Sequence, residues 1–166
     1  MAFVSNMLTT VVEKLKAQFT TSILDVREFR GETTVYVMKE DIVRICTFLR
    51  DDESSLFNYC SDVCGADSYT PENRFEVIYN LYSLSYKQRI RLKVFVDESD
   101  LHCPSVTSVW EGANWPERET YDMFGIIFDG HNDLRRMYMP EEFEYFPLRK
   151  DFPMMGIPDS IPLPRK

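Results

Sequence analysis

Leu8, Val11, Val12, Leu15 and Phe19 recur at helical spacing, with Glu13, Lys14 and Lys16 on the opposite side, and predict an amphipathic first helix. Two strands follow, at 23–29 and 33–38, around Arg30-Gly31-Glu32, where glycine offers the positive φ of a tight hairpin. Glu40 and Asp41 open a second helix at its positive end, and its buried stripe is Ile42, Ile45, Cys46 and Leu49. Residues 51–55 close it. A weaker strand is read at 57–63, and Thr70-Pro71-Glu72-Asn73 is a turn.

The clearest alternation lies at 75–84, with Val77, Tyr79 and Leu81 on one face. At 89–96, Ile90, Leu92, Val94 and Val96 alternate with Arg89, Arg91 and Lys93. A period of two means one buried and one solvated or docked face. With Tyr86-Lys87-Gln88 between them the two strands form a second hairpin. Beyond a short apolar run at 106–110, Asn114-Trp115-Pro116-Glu117 reads as a helix start with Asn114 as its cap, and Gly125 as its stop. The expected fold is α+β: a two-layer domain with helices on one face of a mixed or antiparallel sheet, spanning 1–125, followed at 126–166 by an extended Pro-rich C-terminal arm. Six of the nine prolines (Pro140, Pro147, Pro153, Pro158, Pro162 and Pro164) fall in that arm.

Composition narrows the class. The chain's 166 residues suit one core, and 44% hydrophobic with 28% charged residues is ordinary for a folded protein. A net charge of -8 argues against nucleic acid and against direct contact with anionic lipid. No apolar run approaches the ~20 residues of a membrane span. Residues 1–19 lack a basic stretch ahead of an uninterrupted apolar core and read as a folded helix, not a secretory signal. Cys46, Cys60, Cys64 and Cys103 form no secreted disulfide framework and are read as reduced, buried small hydrophobes.

Candidate chemistry is thin. The cysteines and the two histidines, His102 and His131, do not show the spacing of a zinc or iron–sulfur site, and the six glycines make no phosphate loop. The helix at 114–125 carries Glu117, Arg118, Glu119 and Asp122. Glu117 and Glu119 point to different sides, so no acid–base pair is expected, and Arg118–Asp122 has the spacing of an ordinary ion pair. Trp115, Tyr121, Met123 and Phe124 are interleaved with these charges, which suggests a helix shared between core and interface. Arg135 and Arg136, with Arg149 and Lys150, stand out as a basic cluster in an acidic chain, its arginines read as carboxylate-binding forks for a protein interface. The arm holds Met137, Tyr138, Met139, Phe143, Tyr145, Phe146, Leu148 and Phe152. A Pro-rich segment has no core of its own to hide them in, so the arm is expected to lie along another protein with its aromatics as anchors.

The run Glu117-Arg118-Glu119-Thr120-Tyr121-Asp122-Met123-Phe124-Gly125, then His131, Leu134-Arg135-Arg136-Met137 and Pro147-Leu148-Arg149-Lys150-Asp151-Phe152-Pro153, resembles in order and spacing the 30 kDa subunit of respiratory complex I. A looser likeness extends upstream through Phe48-Leu49-Arg50-Asp51-Asp52, Arg74 to Tyr79 and Ala113-Asn114-Trp115. The resemblance implies a cofactor-free subunit of NADH:ubiquinone oxidoreductase, in the peripheral arm beside the quinone-binding 49 kDa-type subunit, with FMN and iron–sulfur clusters held by partner subunits. It implies fold and interface roles for Glu117, Arg118, Glu119, Asp122, His131, Arg135, Arg136, Arg149 and Lys150, and no catalytic residue. Related subunits of membrane-bound hydrogenases and of photosynthetic ferredoxin-linked complexes are the alternative. Asn132 departs from the proline of many relatives. Met139-Pro140-Glu141-Glu142 is similar to the photosynthetic branch, and 149–153 to the mitochondrial and proteobacterial branch. The matrix side of the mitochondrial inner membrane is the expected location, with a bacterial or plastid membrane as the alternative.

Overall fold

The computed structural model describes residues 2–157, with side chains from Leu8 onward. Pro158, Pro162 and Pro164 of the expected extended tail lie outside the described residues. Helix α1 (Ala2–Gln18) leads into the hairpin β1 (Ile23–Phe29) and β2 (Glu32–Val37). Arg30 and Gly31 both have positive φ, 52° and 79°, as a two-residue turn matched to strand twist requires. A single 3₁₀ turn at Lys39–Asp41 runs into α2 (Ile42–Asp51). Then come β3 (Tyr59–Asp67), β4 (Phe75–Ser83) and β5 (Gln88–Val96), followed by β6 (His102–Pro104), α3 (Asn114–Phe124) and β7 (Ile127–Asp129).

The main sheet is mixed, in the order β1-β2-β5-β4-β3. Only β2 and β5 run parallel, from Thr34 opposite Arg91 to Val37 opposite Val94. The expected alternation in β4 and β5 is complete: Phe75, Val77, Tyr79 and Leu81, and Ile90, Leu92, Val94 and Val96, are buried. They form one core with the α1 stripe (Leu8, Val11, Val12, Leu15 and Phe19), the α2 stripe, and Met123 and Phe124 of α3. Burying each such aliphatic side chain stabilises the fold by about 1.5–3 kcal/mol, which makes this core the main source of stability. The opposite face carries a charged and aromatic lattice. Lys93 binds Glu76 at 2.7 Å, Arg91 binds Glu32 at 2.8 Å, and Tyr36 stacks on Phe95 at 5.4 Å.

Three local expectations change. The weak strand at 57–63 is β3, longer and shifted toward its small and polar residues Gly65, Ala66 and Asp67. Local propensity is poor there, and pairing with β4 sets the strand instead. Gly65 admits α3, because a Cβ at that position would lie 2.6 Å from the Phe124 ring and 3.0 Å from Thr120. Asn114 is not the cap of α3. A 3₁₀ turn at Glu111–Ala113 continues into the helix, and Asn114 lies within its first turn with no side-chain cap bond at Ala113. The fold also runs past the expected boundary at 125. β7 pairs in parallel with β6, and Ile126 and Phe128 are buried.

Replacing Gly65 by Val should force Phe124 or β3 to move and cost about 1–3 kcal/mol, the usual penalty of overpacking. Thermal or denaturant unfolding of the purified variant measures it. An unchanged midpoint would show that α3 does not pack so closely on β3.

Candidate functional site

Helix α3 buries three of its charged side chains and exposes its tryptophan. Glu117 and Asp122 are fully buried and Arg118 nearly so, whereas Trp115 is 61% exposed. Each buried charge has partners built for it. Glu117 accepts hydrogen bonds from Ser105 Oγ at 2.6 Å and from the Val106 amide at 2.8 Å. Burial pushes its carboxyl up to about 7, even though these two donors pull the other way. Arg118 lies under the Trp115 ring, 4.9 Å from its centroid, and donates to the carbonyls of Arg135 and Arg136.

Asp122 is the anchor of the segment beyond the helix. Its Oδ2 accepts the consecutive amides of Met137, Tyr138 and Met139 at 2.9, 2.7 and 3.0 Å, and its Oδ1 meets Arg136 Nη1 at 2.8 Å. Successive amides pointing at one oxygen form an anion nest. Burial opposes ionisation here, but the amides and Arg136 outweigh it and hold the group below its ordinary range. The expected Arg118–Asp122 pair is therefore not formed. The returning chain supplies Asp122 with a denser set of donors than a neighbour on the same helix could.

A second anchor holds the end of the segment. Asp67, at the end of β3, has its side chain fully buried and binds Arg74 at 2.9 Å; its Oδ2 also accepts the Lys150 amide at 2.8 Å. Arg74 further pairs with Glu98 at 2.5 Å and with Asp151 at 2.9 Å, and it lies against the rings of Tyr69 and Phe75. These carboxylates hold its proton still more firmly than usual. Arg149 donates Nε–H to the Phe124 carbonyl at 2.7 Å and lies between Phe146 and Phe75. Gly125, in the left-handed region at φ 76°, leaves room for them: a Cβ there would fall 2.6 Å from Arg149 and 2.7 Å from Phe146. Sequence reading had Arg74 only within the looser likeness and did not single out Asp67: the two pair across the β3–β4 loop, and their other partners, Glu98, Lys150 and Asp151, are remote in the chain.

The arm thus differs from its expectation. An extended segment without regular structure hides Phe143 and half-buries Phe146 and Phe152 on its own domain. The α3 and β3 carboxylates satisfy backbone amides that proline-rich chain cannot pair by itself. What remains outside is a smaller apolar set: Tyr138, Tyr145, Leu148, Met154 and Met155. Of the remaining predicted positions, Glu119 and Lys150 are exposed, and Arg135 pairs with Asp133 at the surface. His131 accepts the Asp133 amide on Nδ1, which leaves Nε2–H to donate to the Asn114 carbonyl. The site residues therefore gather into one unit of helix and arm, in which Glu119 and Lys150 face outward.

Cys46, Cys60 and Cys103 are buried, and burial pushes all three thiols up, Cys60 and Cys103 to about 12. Among the described residues no three His, Cys, Asp or Glu side chains converge as metal ligands would.

Residues 35–158 match the family described as respiratory-chain NADH dehydrogenase, 30 Kd subunit. The C-type subunit of NADH-quinone oxidoreductase from Roseiflexus sp. is 52% identical over 145 residues, covering 87% of this chain and 83% of that protein. Its counterpart from Geobacter sulfurreducens is 51% identical over 152 residues, covering 91% and 92%. Among solved structures, the trypsin-resistant fragment of Nqo5 is 33% identical with a TM-score of 0.64, covering 77% of this chain and 99% of the fragment. A chain of an archaeal membrane-bound sulfane sulfur reductase shares the fold, with a TM-score of 0.69 at 20% identity.

Asp122→Ala strands Arg136 and three amides and should cost about 3–5 kcal/mol at neutral pH, as breaking a buried pair does. Asp122→Asn keeps the shape and should cost less, about 1–3 kcal/mol. Because the folded carboxyl is held below its ordinary 3.8, its contribution is present above that value and is lost as pH falls through the lower folded one. Denaturant titrations at neutral and acid pH read both effects, and the acid-sensitive component should be absent in Asp122→Asn. In Gly125→Ala, limited proteolysis should cut first within 140–152, because the new Cβ displaces the two side chains that clamp that segment.

Proposed function

Because this chain belongs to the family of respiratory-chain NADH dehydrogenase 30 Kd subunits, we propose that it is a cofactor-free structural subunit of a complex I-type NADH-quinone oxidoreductase. In this reading it sits in the peripheral arm and docks on the quinone-binding 49 kDa-type subunit. It contributes no catalytic residue, and FMN and the iron–sulfur clusters belong to partner subunits. The observation that carries the proposal is the unit of motif helix and arm. Its inward charged positions, Glu117, Arg118, Asp122, Arg136 and Arg149, hold backbone in place, and its outward surface presents Tyr138, Tyr145 and Leu148 beside Glu119 and Lys150. Such anchors, raised on a rigid support, suit a permanent protein interface.

Membrane association is then indirect. No helix among the described residues is long and apolar enough to cross a membrane. The two relatives named above are bacterial, which favours the cytoplasmic face of a bacterial membrane over the mitochondrial matrix face expected from sequence.

Affinity purification of the tagged full chain from its native membranes should recover NADH-quinone oxidoreductase subunits, with cross-links from the arm to the 49 kDa-type subunit. Leu148→Asp, at an exposed arm position, should lower that recovery at least tenfold while leaving the chain folded. Equal recovery, or an intact oxidoreductase that lacks this chain, would overturn the proposal.

A further inference from the structure

Asp122 and Asp67, the carboxylates that hold the arm, have cations beside them; Glu117 has none. Among the described residues its partners are neutral, the Ser105 hydroxyl and the Val106 amide. The titratable groups facing it from the packed elements are also neutral at ordinary pH: Cys46 on α2, Cys60 on β3, Tyr79 on β4 and Cys103 on β6. Tyr79 and Cys103 lie 3.4 Å apart and are turned to each other. The nearby His102 of β6 is turned to Asp129 instead. On α3 itself, Arg118 and Asp122 are committed to the arm. A buried carboxylate in such surroundings is costly in its charged form.

The Ser105 hydroxyl continues the chain of hydrogen bonds outward. Its Oγ lies 2.6 Å from Glu117 Oε2 and 2.7 Å from Thr107 Oγ1, and Thr107 is partly exposed. We infer that Glu117 is a buried proton-exchanging carboxyl, connected to solvent through the Ser105 and Thr107 hydroxyls, whose charge state sets the hydrogen-bond direction of the 105–107 loop. When Glu117 is ionised, Ser105 donates to it and Thr107 donates to Ser105. Protonation places a hydrogen on Oε2. That oxygen then donates to Ser105, Ser105 donates to Thr107, and Thr107 turns its own hydrogen to water. One proton enters from solvent and one carboxylate becomes a carboxylic acid, with no other bond broken. The Val106 amide keeps its acceptor in both states but faces a charge in only one. The ligand is a proton, and the site is independent of which partner the arm docks on.

The test is an NMR pH titration of the full chain carrying ¹³C-labelled glutamate side chains and ¹⁵N-labelled amides. The Glu117 carboxyl carbon, assigned by its loss in Glu117→Gln, should titrate with a midpoint near 7. The Val106 amide should titrate with the same midpoint in the wild type and stay flat in Glu117→Gln. Ser105→Ala should raise the midpoint by about 1 pH unit, because the ionised form alone loses a charge-assisted bond. A midpoint in the ordinary carboxylate range overturns the inference using the wild-type chain alone. So does a Val106 transition that survives in Glu117→Gln, since it would then report a group other than Glu117.

Discussion

The arrangement of this molecule turns on satisfying backbone amides in a segment whose own turns pair only some of them. From β7 to residue 157, the last described, the chain forms neither helix nor strand, yet it lies close against the domain. Two buried carboxylates make that possible. Asp122 takes three consecutive amides from the near end of the segment, and Asp67 takes the Lys150 amide at the far end. An arginine stands beside each, so the buried negative charge is compensated where it forms. Such pairs add little net stability once desolvation is subtracted, but losing one partner is expensive. Their effect is to choose one path for the chain over the many a Pro-rich segment could take.

The energy for folding comes from elsewhere. The α1 and α2 stripes and the inner faces of β4 and β5 close an apolar core, against which Leu134 and Met139 of the arm pack. α3 joins the two systems. Met123 and Phe124 complete the core, Gly65 lets the helix approach β3, and the charged positions of α3 carry the arm and the 105–107 loop. Gly125 ends the helix and makes room for Phe146 and Arg149, so one residue serves both the helix stop and the fold-back.

The proposed docking role calls for a surface that is rigid before a partner arrives, because ordering a flexible arm at the moment of binding costs affinity. Here the aromatics nearest the domain are already immobilised, and the outward ones stand on that support. The buried charges of the motif helix, which in another setting would suggest acid–base catalysis, are accounted for by the backbone and side-chain groups they hold.

Local pattern alone specifies the layered α+β class, the helical stripes, the hairpin at Gly31, the two alternating strands and the stop at Gly125. Each of these rests on a periodicity or on a backbone requirement that neighbouring residues express. The motif pattern also marked the residues of the site. How those residues are used was settled by the fold. Arg118 and Asp122 stand four apart and read as a pair, but donors and acceptors from residues far along the chain compete for each and win by number and burial. Arg74 and Asp67 pair across one loop, but their further partners, Glu98, Lys150 and Asp151, come within reach only after the sheet has formed and the arm has returned. The arm itself, read as a segment in need of another protein, buries Phe143 and parts of Phe146 and Phe152 on its own domain. A charged face is legible in one dimension, but the partner that each charge takes is fixed only when the fold brings distant backbone within reach.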